Sequence, residues 1–316
     1  MRRPARWLTV VATLLLLATA TAGCGAGGDA TAAGSLDVIA SATFLADIAQ
    51  HVAGDRFTVR ALVPADADLH AYEPTPHDLA AVAGTDLLLV NGAGLEGTLE
   101  DTVRAAAGDV RVVEASAGLK SRLPRPGEPL HAGDSGAVAR ETDPHFWLDP
   151  VLVETYVQNI RDAFAAADPA GAATYAANAD GYVAKLEGLD RWIRGQVDTV
   201  PASARKLVMN HMSYGYFADR YGFTIVGAVI PSVGTGDTPT ARQLADLTRA
   251  IRDTGAKAIF VESGQSPALA AQVAAETGIA VVDDLRDHAL SGPDGEAPTY
   301  IDMMKFDTLR IVEALR

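Results

Sequence analysis

Short apolar runs alternate with amphipathic stretches from residue 36 to residue 316, a pattern typical of repeated strand–helix units. Between the runs, apolar residues such as Phe44, Leu45, Ile48 and Val52 recur at helical spacing. Strands that alternate with helices predict parallel sheets, and the rhythm occurs twice, so we expect two α/β lobes. The predicted strands are 36–40, 57–63, 86–90 and 110–113 in the first half and 206–210, 223–226, 257–261 and 279–282 in the second.

A sustained helical pattern separates the two halves. Tyr175, Tyr182, Leu186 and Leu189 belong to an apolar face that continues over residues 170–200. A helix of about 28 residues is about 42 Å long at 1.5 Å per residue, which is long enough to run along two lobes. We therefore predict a first lobe at 36–168, a single rigid linking helix at 169–200 and a second lobe at 201–316.

The N-terminal residues have the order of a secretory signal. Three arginines precede an uncharged run from Trp7 to Ala22, which is shorter than the roughly 20 apolar residues that a stable membrane span needs. Residues 1–23 are thus predicted to be a signal peptide. Cys24, the only cysteine, follows Ala22-Gly23 as in a bacterial lipobox, which predicts lipidation at Cys24, with plain secretion as the alternative. Residues 24–35 have the composition of a flexible tether.

The charge of the chain argues against nucleic-acid binding. The formal net charge is −14, and it becomes −17 without residues 1–23, which hold three arginines and no acidic residue. A phosphate backbone requires a basic face, and the basic residues form no cluster beyond the N-terminus. The expected product is an acidic, exported, monomeric protein, either anchored to the outer face of the cell membrane through Cys24 or periplasmic.

Three histidines lie where predicted strands or loops meet helix starts, the edge at which open α/β folds bind ligands. They are His70, His145 and His211, and their wide separation requires a site assembled across both lobes. Imidazole suits zinc, copper, nickel and iron, although spacing alone leaves capping and core roles open. The remaining histidines outside the last loop are expected at the surface: His51, His77 and His131.

Several blocks of the sequence resemble the signatures of the metal-binding lipoproteins of bacterial zinc and manganese ABC importers. The resemblance covers nearly all of residues 36–316 in the family's order. It rests on residues 68–79 (DLHAYEPTPHDL), 91–96 (NGAGLE), 143–150 (DPHFWLDP), 211–218 (HMSYGYFA), 260–263 (FVES) and 299–304 (TYIDMM).

The resemblance implies a solute receptor whose metal lies in the cleft between two lobes. The family's first three ligand positions fall on His70, His145 and His211, and histidine at the third position favours zinc over manganese. The fourth position is normally an Asp, and here either Asp287 or His288 occupies it, a choice that the sequence leaves open. The implied cargo is Zn²⁺, with Mn²⁺ as the alternative.

The resemblance also implies partners. The main partner is the membrane permease of an ABC importer. Zinc members often carry a histidine-rich stretch before the second ligand, whereas this chain has only His131 there. This shortage raises the hypothesis that a separate periplasmic or surface protein donates the metal.

Two other classes of protein compete with a receptor. A zinc-dependent hydrolase would keep three protein ligands and an open water position, but the chain has no His-Glu-x-x-His motif and offers a fourth ligand. Glu262 could serve as a base, although a strand-end Glu more often forms a structural hydrogen bond. A surface adhesin would not need three converging imidazoles. We therefore expect no enzymatic activity.

Overall fold

The first lobe is built around a four-stranded parallel sheet. The computed structural model describes residues 36–65, 67–123, 128 and 142–316. The strand order is β2-β1-β3-β4. The elements of this lobe are β1 (Val38–Ala40), α1 (Thr43–Ala53), β2 (Val59–Ala61), α2 (Pro76–Ala83), β3 (Leu87–Val90), α3 (Gly97–Ala107), β4 (Arg111–Glu114) and α4 (Pro150–Ala167).

The second lobe repeats this arrangement after a long helix, with the strand order β6-β5-β7-β8. All of the pairings between its strands are parallel. The long helix is α5 (Ala172–Val197), and the lobe contains β5 (Lys206–Met209), α6 (Gly215–Tyr221), β6 (Thr224–Ala228), α7 (Ala241–Thr254), β7 (Ala258–Glu262), α8 (Ala268–Thr277), β8 (Ala280–Leu285) and α9 (Tyr300–Leu315).

Helix α5 joins the two lobes. Its 26 residues extend about 39 Å, and it packs against α1 and α4 of the first lobe and against α6 and α9 of the second. Its buried face includes Tyr175, Leu186 and Ile193. Asp190 on this helix accepts hydrogen bonds of 2.8 and 2.9 Å from Arg220 of α6, which fixes α6 to the linker.

The strands are apolar because helices cover both faces of each sheet. Every residue of β1 is buried, and Val38 pairs with Val59 on one side and with Leu87 on the other. Since all strands of a lobe run in the same direction, the loops at their carboxyl ends lie along one edge of the sheet. The three candidate ligands, His70, His145 and His211, lie in these loops.

Helix starts fix the ends of two histidine-bearing loops. Thr75 caps α2 through a reciprocal capping box with Asp78, five residues after His70. Asp149 caps α4 by accepting a hydrogen bond of 2.9 Å from Val151, four residues after His145. Each loop is therefore held at its helical end.

The structure confirms the predicted fold class of two parallel βα lobes joined by one long helix. The domain limits at 36–168, 169–200 and 201–316 remain predictions. The signal peptide, Cys24 and the tether lie outside the described residues, as does His131. Among the helices that are described, none has the length and apolar character required to span a membrane.

Candidate metal centre

His70 reaches the centre from the loop that follows β2. Its backbone N–H donates to Asp68 Oδ1 at 2.9 Å, which closes a short turn before the ring. Leu69 between them is buried and anchors the turn in the core of the first lobe. The ring of His70 is partly exposed, so it forms part of the cleft surface.

His145 is fully buried in the loop before α4. Asp143 accepts from the backbone N–H of His145 at 3.1 Å, and its Oδ1 lies 2.9 Å from the ring Nδ1. A carboxylate at Nδ1 places the ring proton there, so Nε2 carries the lone pair that can coordinate a metal ion. Trp147 packs beside the ring at 5.2 Å between centroids and stacks on Phe44.

His211 follows β5 and is also fully buried. Its Nδ1 lies 3.0 Å from Oε1 of Glu262, the last residue of β7. Its Nε2 lies 4.0 Å from Asp287 Oδ2. The second lobe therefore places two carboxylates against one imidazole.

His288 lies in the loop after β8, next to Asp287. Its Nδ1 is 2.6 Å from Asp287 Oδ1. The loop is fixed from both lobes, because Trp147 Nε1 donates to the Asp287 carbonyl and the buried Asp307 accepts from the Arg286 N–H at 2.8 Å. This network holds the His288 backbone beside the His145 loop.

The four histidines converge on one point. One ring nitrogen of each lies within 4.8 Å of the others. The Nε2 atoms of His70 and His288 are 3.1 Å apart, and those of His211 and His145 are 3.4 Å apart. A second group with the same mutual spacing consists of His211, Glu262 and Asp287, so His211 belongs to both groups.

Burial and charge separate the proton affinities of the four rings. Burial lowers the pKa of His70 well below 6.5, and the neighbouring His288 and His211 add to this effect. Burial, reinforced by His211, lowers the pKa of His288 to about 3. For His211 burial also acts downward, but the negative charges of Glu262 and Asp287 outweigh it and raise the pKa to about 9. The centre thus favours one positive charge, on His211.

The carboxylates around the centre are unusually deep. Burial raises the pKa of Asp287 to about 7, against the opposing effect of His211, and it raises that of Asp143 to about 7. Glu262 and Asp287 are both buried, and each carboxylate faces an imidazole: Glu262 Oε1 lies 3.0 Å from His211 Nδ1, and Asp287 Oδ1 lies 2.6 Å from His288 Nδ1. Carboxylates this deeply buried are stabilised by a nearby cation.

The structure brings together His70, His145, His211 and both candidates for the fourth position. His77 is exposed, as expected, and His51 is half-buried and stacks on Tyr182 instead of lying free at the surface. The sequence interpretation missed Asp143 as a partner of His145, although its position two residues earlier was a usable signal. For Glu262 it expected a structural hydrogen bond, and the structure places this carboxylate 3.0 Å from the His211 ring.

Two parallel α/β lobes on one long helix, with imidazoles and carboxylates converging between them, define a metal-binding solute receptor. Residues 38–314 match the family described as the periplasmic component A of the zinc-uptake complex. The chain belongs to this family.

Two curated relatives match over nearly their whole length. The manganese-binding lipoprotein MntA of Halalkalibacterium halodurans is 34% identical over 280 residues, which cover 89% of this chain and 88% of that protein. The iron-binding protein YfeA of Yersinia pestis is 32% identical over 309 residues, which cover 97% of this chain and 95% of that protein. Both relatives therefore align with this chain over at least 89% of its length.

Solved structures agree in fold. The manganese-bound periplasmic metal-binding protein of Candidatus Liberibacter asiaticus has a TM-score of 0.75 and 29% identity, and covers 88% of this chain and 99% of its own. The periplasmic zinc-binding protein TroA of Treponema pallidum has a TM-score of 0.78 at 24% identity, and the match covers 89% of this chain and 99% of TroA. At this identity the likeness supports the fold alone.

These comparisons confirm the predicted class. The chain is the extracytoplasmic metal-binding component of an ABC importer, and it is not an enzyme. An importer component of this kind works with a membrane permease. The choice of metal is a separate question, because the relatives are named for manganese and iron as well as zinc.

Proposed function

We propose that this protein captures Zn²⁺ outside the cytoplasm with His70, His145, His211 and His288 and delivers it to the permease of its importer. The observation that carries the proposal is the spacing of the Nε2 atoms, at 3.1 and 3.4 Å for two pairs. Two nitrogens that are 2.0–2.1 Å from a tetrahedral ion lie about 3.3 Å apart. Two of the nitrogen pairs are thus at the separation that tetrahedral zinc requires, and the four nitrogens all lie within 4.8 Å of one another.

The charges near the rings support a divalent cation. Asp143, Glu262 and Asp287 each lie within 3.0 Å of the Nδ1 atom of a different histidine. Carboxylates behind metal-ligating imidazoles fix the ring orientation and increase ligand basicity. A bound dication would neutralise much of the negative charge that is otherwise buried here.

For the fourth ligand we propose His288, with Asp287 behind it. The Nε2 atom of His288 belongs to the four-imidazole group, whereas the nearest contact of Asp287 is on the opposite nitrogen of that ring. The distance of 4.0 Å from Asp287 to His211 Nε2 exceeds the tetrahedral ligand separation of about 3.3 Å. His288→Ala should therefore weaken zinc binding far more than Asp287→Asn does.

A manganese receptor is the second candidate. It is favoured by the 34% identity to a protein named for manganese binding. Manganese prefers oxygen ligands, and the group of His211, Glu262 and Asp287 offers two carboxylates. The two candidates therefore differ in which group of side chains encloses the ion.

Metal analysis of the purified protein, followed by calorimetric competition between Zn²⁺ and Mn²⁺, tests the choice. We expect one equivalent of zinc to bind and to resist displacement by excess Mn²⁺. Preferential retention of Mn²⁺, with loss on Glu262→Gln but not on His288→Ala, would establish the second candidate. Failure of both ions to bind would exclude the ligand set.

Two further predictions from the sequence, a lipid attachment site and a metal donor, are also proposals. Cys24 is proposed as the lipid attachment site, and mass spectrometry of the membrane-bound wild type and of Cys24→Ser tests it.

A separate metal donor is proposed from the sequence of the loop before His145. Deleting residues 125–140 should slow transfer from a metal-loaded donor without changing the affinity for free zinc.

A further inference from the structure

The loop that carries His70 is bonded to the second lobe by a contact that involves none of the four histidines. Asp68 Oδ2 accepts a hydrogen bond of 2.6 Å from the Thr235 hydroxyl. The side chain of Gln265 also hydrogen-bonds Asp68. Asp68 belongs to the loop after β2, Thr235 to the loop after β6 and Gln265 to the loop after β7, so three loops from two lobes meet at one carboxylate.

The two oxygens of Asp68 accept hydrogen bonds from different lobes. Oδ1 accepts from the His70 backbone N–H at 2.9 Å, within its own loop, and Oδ2 accepts from Thr235 of the opposite lobe. The carboxylate therefore links the position of the His70 backbone to the position of the second lobe. A change in the separation of the lobes must either break the Thr235 bond or move the turn that holds His70.

Thr235 lies in a glycine-flanked segment. An added Cβ at Gly234 or Gly236 would meet no atom within 4 Å, and the stretch between β6 and α7 around them has no regular secondary structure. Val233, two residues before Thr235, packs against the hydrophobic core. The hydrogen bond from the Thr235 hydroxyl to Asp68 attaches the part of the segment that follows Val233 to the first lobe.

We propose that Asp68, Thr235 and Gln265 form a latch across the cleft that retains the bound metal by holding the His70 loop against the second lobe. These three are positioning residues, and the proposal rests on the proposed function because it presupposes an ion between the lobes. The latch acts on release: an ion bound by imidazoles of both lobes leaves only after the lobes or loops separate. A hydrogen bond to a carboxylate is strong enough to slow that step measurably.

The test measures metal dissociation from the full mature protein with a chelator in stopped flow. Thr235→Val keeps the shape of the side chain and removes the hydroxyl, so we expect zinc to dissociate about tenfold faster with little change in association rate or in the melting temperature of the metal-free protein. Thr235→Ser keeps the hydroxyl and should retain the wild-type rate. Gln265→Leu should give a smaller acceleration in the same direction.

A second readout separates a latch from a general packing role. Zinc should protect the backbone amides of residues 232–238 from hydrogen exchange in the wild type and in Thr235→Ser, but not in Thr235→Val. Equal dissociation rates for Thr235→Val and wild type overturn the latch, as does an accelerated rate in Thr235→Ser. If the wild type binds neither Zn²⁺ nor Mn²⁺, the proposed function fails; if it binds and the variants release at its rate, only the latch fails.

Discussion

Each lobe buries one glutamate near the carboxyl end of the third of its four strands in chain order, but the two residues have different surroundings. Glu96 of the first lobe is 1% exposed and accepts from the Ser41 hydroxyl at 2.7 Å and from the Asn91 and Gly92 N–H groups at 2.6 and 3.2 Å. Glu262 of the second lobe is 2% exposed, and its carboxylate faces the ring of His211, whose Nδ1 lies 3.0 Å from Oε1.

The contrast indicates which buried carboxylate has a structural role and which a functional one. The donors around Glu96 belong to its own lobe, so that carboxylate holds the loop after β3 in place. Glu262 lies 3.0 Å from the ring of His211, and its charge is the second largest contribution to the pKa of that ring, after burial. A carboxylate beside a metal-ligating imidazole supports a bound cation.

The largest expected effect comes from removing the imidazole that Glu262 contacts. His211→Ala should weaken zinc binding by more than about 100-fold, because loss of a ligand exceeds the effect of losing a supporting group. Isothermal titration measures the affinity, and His77→Ala is the matched control because that ring is exposed and lies outside the cluster. A threefold change or less in His211→Ala would remove His211 from the ligand set.

The two glutamates should then separate in their effect on binding. Glu262→Gln is expected to weaken zinc binding about 10- to 100-fold, since the His211 ring loses its charged neighbour. Glu96→Gln should weaken zinc binding less than Glu262→Gln does, because Glu96 binds Ser41, Asn91 and Gly92 and acts on His70 only through the backbone of Leu95. Equal losses in both variants would contradict the distinction between the two sites.

The pH dependence of binding tests the charge on His211. Its raised pKa of about 9 means that zinc competes with a proton on this ring at every pH below that value. Apparent affinity should therefore fall about tenfold for each unit of decreasing pH near neutrality. In Glu262→Gln the pKa of His211 should drop, which flattens this dependence. A wild-type affinity that is constant from about pH 7 to 8.5 would contradict the raised pKa.

The smallest effect is expected at Glu96, the glutamate with the structural role. Glu96→Gln should reduce the free energy of unfolding by about 1–3 kcal/mol, because an amide NH₂ replaces one acceptor oxygen. Burial raises the pKa of Glu96 to about 7 although its hydrogen bonds oppose this shift. The folded protein thus binds this proton more tightly than the unfolded chain, so wild-type stability falls as pH rises from about 4.5 to 7.

Urea unfolding at about pH 5 and pH 8 checks this linkage. The glutamine variant cannot titrate at this position, so the stability difference from wild type should be larger at pH 5 than at pH 8. Glu262→Gln should reproduce less of this loss, because Glu262 faces the His211 ring instead of the backbone N–H groups that Glu96 binds. A larger loss in Glu262→Gln than in Glu96→Gln would reverse the proposed assignment.

Much of the architecture could be predicted from local patterns. The apolar run at β3 (Leu87–Val90) and the helical face of α5 (Ala172–Val197) follow from side-chain periodicity, which sets which face of an element avoids water. A Thr-Pro pair is typical of a helix start, and Thr75-Pro76 begins α2 with a capping box. These features depend on residues that are close in sequence, so a single chain contains the information.

The sequence by itself also determined the chemical type of the site, because imidazoles at His70, His145 and His211 lie at the ends of strands that point to one edge. It left the fourth position open between Asp287 and His288, since adjacent residues can exchange places through a rotation of the loop. Only the tertiary structure placed His288 Nε2 beside His70 Nε2, at 3.1 Å across 218 residues of chain. Which carboxylates lie behind the rings, and which loops meet at Asp68, likewise depends on how the two lobes pack against one helix, a property of long-range contacts.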